Sequence, residues 1–261
     1  MDGIPERRDM QRLQIPLESI LDHSKLPWKD PQIPKYKTGT FGKWTLNENP
    51  IPICRGYFRG LQEMNGMNYV LEKDKTVWMS LTHMETESQG HHIQSANGRV
   101  VVVGAGMGFY LFNVLRKTKV KRVLLIEKDA SIMNMLWHQG FYDWRGYKKL
   151  SIWIGNVFEL PKYFHNRNYD YLFVDIWKNL GAYEALEQTQ KIQDMIKAKK
   201  VGFWGQELDF ISYCHTKGYS PPPTKKQYSE FIESTGIPLD PFRKYDYPSL
   251  CIKAAENSLQ Y

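Results

Sequence analysis

The chain has 261 residues, 42% of them hydrophobic, enough for one large domain or one domain with an appendage. Its formal net charge of +7 favours acidic partners without singling out nucleic acid, because the basic residues form only short clusters such as "RKTKVKR" at 116–122. No apolar run nears the roughly 20 residues that span a bilayer, the opening "MDGIPERRDMQRLQ" lacks a signal's apolar centre, and three scattered cysteines argue against a disulfide framework, so a cytoplasmic setting is expected.

Residues 1 to about 50 are rich in proline and charge, and "LPWKDPQIPKYKTGTFGKW" predicts an irregular arm. From Cys54 to Leu81 the pattern predicts short strands, with "YVLEKDKTVWMSL" turning as a hairpin at "EKDK". Thr82 followed by Glu85 fits a capping box that opens a helix ending before Gly98. Beyond Arg99 strands and helices alternate. The strands are expected at Val100–Val103, Val123–Ile126, Leu150–Ile154, Tyr171–Val174 and Val201–Trp204. The intervening helices are expected at Phe109–Arg116, Ala130–His138 and Tyr183–Lys197. Short, fully apolar strands between helices predict an α/β fold, a doubly wound, mostly parallel, Rossmann-like sheet covered on both faces. Two further helices, "QELDFISYCH" and "KQYSEFIEST", flank the linker "YSPPPTKK", and "SLCIK" reads as a returning edge strand. The boundaries expected are an arm with a small β-rich extension at 1–97, the core at 98–205 and a helical appendage at 206–261.

"VVVVGAGMG" carries Gly104, Gly106 and Gly108 at the end of the first core strand. Glycines in such a turn let a backbone approach a ligand, and the following helix presents free N–H groups. A dinucleotide fingerprint would need a third glycine at 109, where Phe109 stands, and no GK[ST] follows for a phosphate loop. Glu127 ends the second strand, where a carboxylate accepts both hydroxyls of a ribose and repels a 2′-phosphate. These features favour an adenosyl ligand without a diphosphate. The plainer alternative is a tight strand-to-helix turn and a solvated strand end.

The block "VVVVGAGMG…LLIEKD…GNV…YDYLFVDIW", over roughly residues 99 to 205, resembles the class I S-adenosylmethionine-dependent methyltransferases. The resemblance implies S-adenosyl-L-methionine as cofactor. It implies a loop of Gly104, Ala105, Gly106 and Gly108 under the methionine part, Glu127 on the ribose and Asn156 on the adenine amine. It also brings Asp175 to the active-site edge as base or substrate anchor, although capping the next turn is an alternative role. The preceding "VWMSLTHMETESQGHH" is similar to the segment before the glycine loop in the polyamine aminopropyltransferases (spermidine synthases), and offers Glu85, Glu87 and Gln89. That family also carries a β-rich N-terminal part.

The departures from the spermidine synthases are specific. Met107 stands where they carry an acid in the loop, and Ile176, Trp177 and Lys178 follow Asp175 in place of a second acid and a proline. Methyl transfer to an unidentified acceptor is therefore the expected activity. Aminopropyl transfer from decarboxylated S-adenosylmethionine and a non-catalytic cofactor-binding scaffold are the alternatives. Glu85, Gln89, Trp177 and Glu207 are the candidates on the substrate side, although Trp177 also suits sheet packing and Glu207 a helix start. His83, His91 and His92 are not expected to bind metal, since neighbouring helical histidines point about 100° apart. No RNA-binding motif and no membrane element is read, and homo-oligomerisation is left open.

Overall fold

A computed structural model describes residues 17–64 and 66–258. The beginning of the expected arm, residues 1–16, lies outside the described residues. The N-terminal strands are β1 (Gly39–Phe41), β2 (Trp44–Pro50), β3 (Ile53–Arg55), β4 (Leu61–Glu63), β5 (Met67–Lys73) and β6 (Thr76–Ser80). They form an antiparallel sheet in the order β1-β2-β5-β6 beside a separate β3-β4 hairpin.

The expectation of an irregular arm holds for residues 20–38, which form no helix or strand, and is corrected for residues 39–50, which carry β1 and β2. Gly42, at φ +61°, turns β1 into β2, and the alternation of β2 buries Trp44 and Leu46 while Asn49 and Pro50 stay exposed. The hairpin over "EKDK" is present, with Asp74 and Lys75 both at positive φ, the geometry that matches the twist of paired strands.

Helix α1 (His83–Ser95) follows with Thr82 at its N-cap, but the Thr82 side chain makes no capping bond. The predicted capping box is not formed because Glu85 is turned inward, where it accepts from Gln89. Every residue from Glu85 to Ile93 is buried.

Five parallel strands make the core: β7 (Gly98–Val103), β8 (Val120–Glu127), β9 (Leu150–Ile154), β10 (Tyr171–Val174) and β11 (Val201–Phe203), in the order β11-β10-β7-β8-β9. Helices α2 (Phe109–Arg116), α3 (Ala130–His138), α4 (Ala185–Ile196) and α5 (Gln206–Thr216) complete the winding. The valine run of β7 shows why these strands lack alternation. Val100 and Val102 join the cluster with α2 and α3, while Val101 and Val103 join the opposite one with α4 and α5. The fold is thus the Rossmann-like α/β fold expected. Its order reverses between β7 and β10, which places a crevice beyond their carboxyl ends.

Helices α6 (Lys225–Thr235) and α7 (Tyr247–Ser258) close the chain. "SLCIK" belongs to α7, not to an edge strand. Cys251 and Ala254 point inward three residues apart, a helical spacing that a five-residue apolar run cannot reveal. The parallel bridge beside β11 comes instead from Leu239, which pairs with Val201.

Glu87 of α1 fastens the β3-β4 hairpin. Its buried carboxylate accepts from Phe58 N at 2.8 Å, Arg59 N at 3.1 Å, Arg59 Nε at 2.8 Å and Gln62 Nε2 at 2.7 Å. Glu87→Ala leaves these donors without their acceptor and is expected to cost about 3–5 kcal/mol in urea unfolding. A loss below about 1 kcal/mol would contradict this account.

Candidate functional site

A cavity of about 780 Å³ opens at the carboxyl ends of β7, β8, β9 and β10 and is faced by α1 and the N-terminal sheet. Its floor is the glycine loop. Gly104, at φ +93°, runs so close to the turn after β10 that a Cβ there would lie 1.9 Å from the Asp175 carbonyl oxygen. At Gly106 a Cβ would meet Met79 Sδ at 2.7 Å. Gly104, Ala105 and Gly106 line the cavity. Gly108 does not. It starts α2 behind the floor, where a side chain would strike Trp144 and Leu136, so its role here is packing.

Glu127 ends β8 at one side of the floor. Its Oε2 accepts from Ala105 N at 2.8 Å and its Oε1 from Asp129 N at 2.7 Å, which fixes the carboxylate against the loop. Burial pushes its carboxyl up, and these N–H groups oppose the rise. Asn156 lines the same side. Its Oδ1 accepts from Phe158 N at 3.3 Å, as a turn residue does. Asp129 was missed in the sequence. Its Oδ1 caps α3 through Ser131 N, while Oδ2 takes the Trp44 Nε1–H at 2.9 Å and pairs with Lys43 at 3.1 Å. That clamp draws β2 over the cavity, and only the N-cap position before "SIMNMLW" hinted at it.

Glu85, Gln89 and Asp175 meet on the opposite wall. Gln89 Nε2 donates to Asp175 Oδ2 at 3.1 Å and to Glu85 Oε1. Glu85 of α1 thus stands beside Asp175 through the Gln89 amide. Burial raises the Asp175 carboxyl to about 7, and burial together with the Asp175 charge drives Glu85 well above the usual carboxylate range. Trp177 lines the wall, with its Nε1–H given to Gln188 Oε1 at 3.0 Å. Trp78 and Trp204 also line the cavity, with Trp78 packed edge-on to Trp44 and Lys73 Nζ 5.0 Å from the Trp78 ring centre.

Glu207, expected on the substrate side, is placed elsewhere and that expectation is corrected. It is fully buried beneath α1, accepting from Tyr57 Oη at 3.0 Å and from Tyr247 Oη. Gly205 at φ +87° turns the start of α5 inward, away from the cavity. Burial pushes the Glu207 carboxyl up, but His91 and the Tyr247 hydroxyl more than reverse this and leave it below its usual value. The expected divergence of His91 and His92 is corrected too, since their ring centres are only 3.9 Å apart.

The lining fits an adenosyl sulfonium. A Cβ at 104 or 106 would fill the cradle, Glu127 offers acceptors at its side, and the volume is that of a small-molecule site. No family model matches the chain, and no curated protein matches it. Among solved structures it is similar to a spermidine synthase from Thermotoga maritima, at 18% identity and TM-score 0.40, over 64% of this chain and 55% of that one. It is also similar to a spermidine synthase in complex with the transition state analogue AdoDATO, at 20% identity and TM-score 0.39, over 61% of this chain and 52% of that one. The methyltransferase domain of a bacterial Hen1 aligns at 16% identity and TM-score 0.32, over 40% of this chain and 55% of that domain. The chain spans about half the length of these structures.

The raised carboxyls fix a sign. Between about pH 4 and pH 7 the folded chain keeps protons that the unfolded chain has released, so these groups lower stability as pH rises through that window. Asp175→Asn removes the Asp175 share of the dependence, while burial keeps the Glu85 carboxyl raised. Its Tm advantage over wild type is expected to grow from pH 5 to pH 8 in thermal unfolding, and a constant difference would refute the assignment.

Proposed function

We propose that the chain is an S-adenosylmethionine-dependent methyltransferase. The observation that carries the reading is the Glu127 carboxylate fixed against Gly104–Gly106 at the sheet's switch point, with no phosphate-binding sequence beside it. When bound, S-adenosylmethionine supplies a methyl group made electrophilic by a sulfonium. The chain's residues do the rest. Glu127 would hold the ribose hydroxyls, and the loop of Gly104, Ala105 and Gly106 would admit the methionine part. Asn156 stands at the side assigned to adenine.

Asp175 and Glu85 form the proton-accepting wall. A carboxyl raised by burial to about 7 exchanges its proton near neutral pH, which suits a group that takes a proton from an acceptor as it attacks. Trp78, Trp177 and Trp204 give the cavity apolar surfaces against which an acceptor could be aligned. The acceptor is unassigned, and both small molecules and macromolecules fit a site open to solvent.

Aminopropyl transfer is the second reading, favoured by one observation. Glu85 and Asp175, joined through Gln89, provide paired carboxylates for a cationic amine. Decarboxylated S-adenosylmethionine would then be the donor.

Calorimetric titration of wild type and Glu127→Ala with both sulfonium compounds separates the readings. S-adenosylmethionine is expected to bind in the micromolar range and Glu127→Ala to weaken it by about 2 kcal/mol, roughly thirty-fold. Preference for the decarboxylated donor would select aminopropyl transfer. Binding of neither would overturn both. With the acceptor in hand, Asp175→Asn is expected to lower kcat by roughly 10²–10⁴-fold.

A further inference from the structure

The polar cluster beneath α1 is not explained by the cavity chemistry, since none of its members lines the cavity. His91 and His92 come from α1 and Glu207 from the first turn of α5, and all three are wholly buried. One ligand-type atom from each lies within 4.8 Å of the other two. The His92 ring is oriented by Tyr171, whose hydroxyl lies 3.0 Å from Nδ1, and its Nε2 has no hydrogen-bond partner. His91 Nε2 pairs with Glu207 Oε1 at 2.7 Å, and His91 Nδ1 has no hydrogen-bond partner.

Buried polar atoms normally find partners, and leaving one unpaired costs free energy. Two imidazole nitrogens without partners, His91 Nδ1 and His92 Nε2, beside one buried carboxylate therefore need a cause. A divalent cation supplies it, because lone pairs that fail to hydrogen-bond one another can share a central ion. The surroundings are those of a ligand set. Tyr57 and Tyr247 donate to the Glu207 carboxylate, and Tyr171 fixes the His92 ring through its other nitrogen, as outer partners of metal ligands do. Space for the His92–Tyr171 pair depends on Gly202, where a Cβ would lie 2.3 Å from His92 Nδ1 and 2.6 Å from Tyr171 Oη.

We propose that His91, His92 and Glu207 form a structural site for a divalent ion of the zinc type, which staples α1 to α5. Two imidazoles and one carboxylate suit zinc over calcium or magnesium, which take mainly oxygen ligands. Ligands at zinc's bond lengths stand roughly 3.4 Å apart in a tetrahedron, and the three ligand-type atoms here already lie within 4.8 Å of one another. The ion neutralises Glu207 and satisfies the open nitrogens together. It does not enter the transfer reaction.

The test is metal analysis of the full chain, produced with zinc in the medium and purified without a histidine tag. About one zinc per chain is expected, with a Tm that falls on prolonged chelation and recovers on adding zinc. Cobalt in its place is expected to give the visible absorption of a low-coordinate nitrogen and oxygen site. His92→Ala is expected to lose the metal while its cavity still binds S-adenosylmethionine. If that variant fails to fold, the wild-type Tm and cobalt spectrum decide. A metal-free chain whose Tm is unmoved by zinc, cobalt or chelator overturns the site, as does a folded His92→Ala that keeps its zinc. Neither result bears on cofactor binding, which is measured separately.

Discussion

The structure is organised around the burial of a polar helix. From Glu85 to His92, α1 contributes two glutamates, a glutamine, a threonine, a serine and two histidines, all shielded from water. Hydrophobicity cannot hold such a segment inside. Each polar side chain taken from water must be repaid by a partner, and most partners belong to a different part of the chain. Glu87 engages the β3-β4 hairpin, Ser88 accepts from Trp204 beyond β11, Gln89 reaches Asp175 after β10, and His92 meets Tyr171 on β10. The β3-β4 hairpin, β10 and the turn after β11 thus all meet on this one helix.

The same helix sets opposing demands on its two ends. Towards the cavity, Glu85 and Asp175 are held close with only one bridging amide, so their charges work against the fold. Towards the core, Glu87 and Glu207 are surrounded by donors and favour it. A chain selected for stability alone would exchange the first pair for apolar residues of similar size. Their presence in the wall beside Gly104 is the mark of a working surface, since strain of this kind is tolerated where chemistry uses it.

The core was legible because its signals are local. Val100–Val103 and Tyr171–Val174 are short runs without polar interruption, and the glycines that follow the first of these lie where the chain must turn. The N-terminal sheet was obscured by its prolines. Pro50 closes β2 at an exposed end, where a missing N–H costs little, yet in the sequence it reads as arm. "SLCIK" is too short for its period to show. Glu207 follows the fifth strand as a site residue would, and only the left-handed turn at Gly205 directs it inward. His91 and His92 defeated a rule about adjacent helical positions because side-chain torsions bring two planar rings together even when their Cβ vectors diverge.

The cavity holds Trp44, Trp78, Trp177 and Trp204, half of the eight tryptophans in the chain. Two give their indole N–H to carboxylate or amide oxygens and one to a hydroxyl, so their surroundings are polar and fixed. A cationic molecule arriving among these rings would alter the electric field across each indole and displace the water beside it. The protein thus carries a native optical gauge of its own occupancy. Its emission would therefore be weighted toward this cavity, while Trp28, packed against Phe58 and Tyr245, lies outside it.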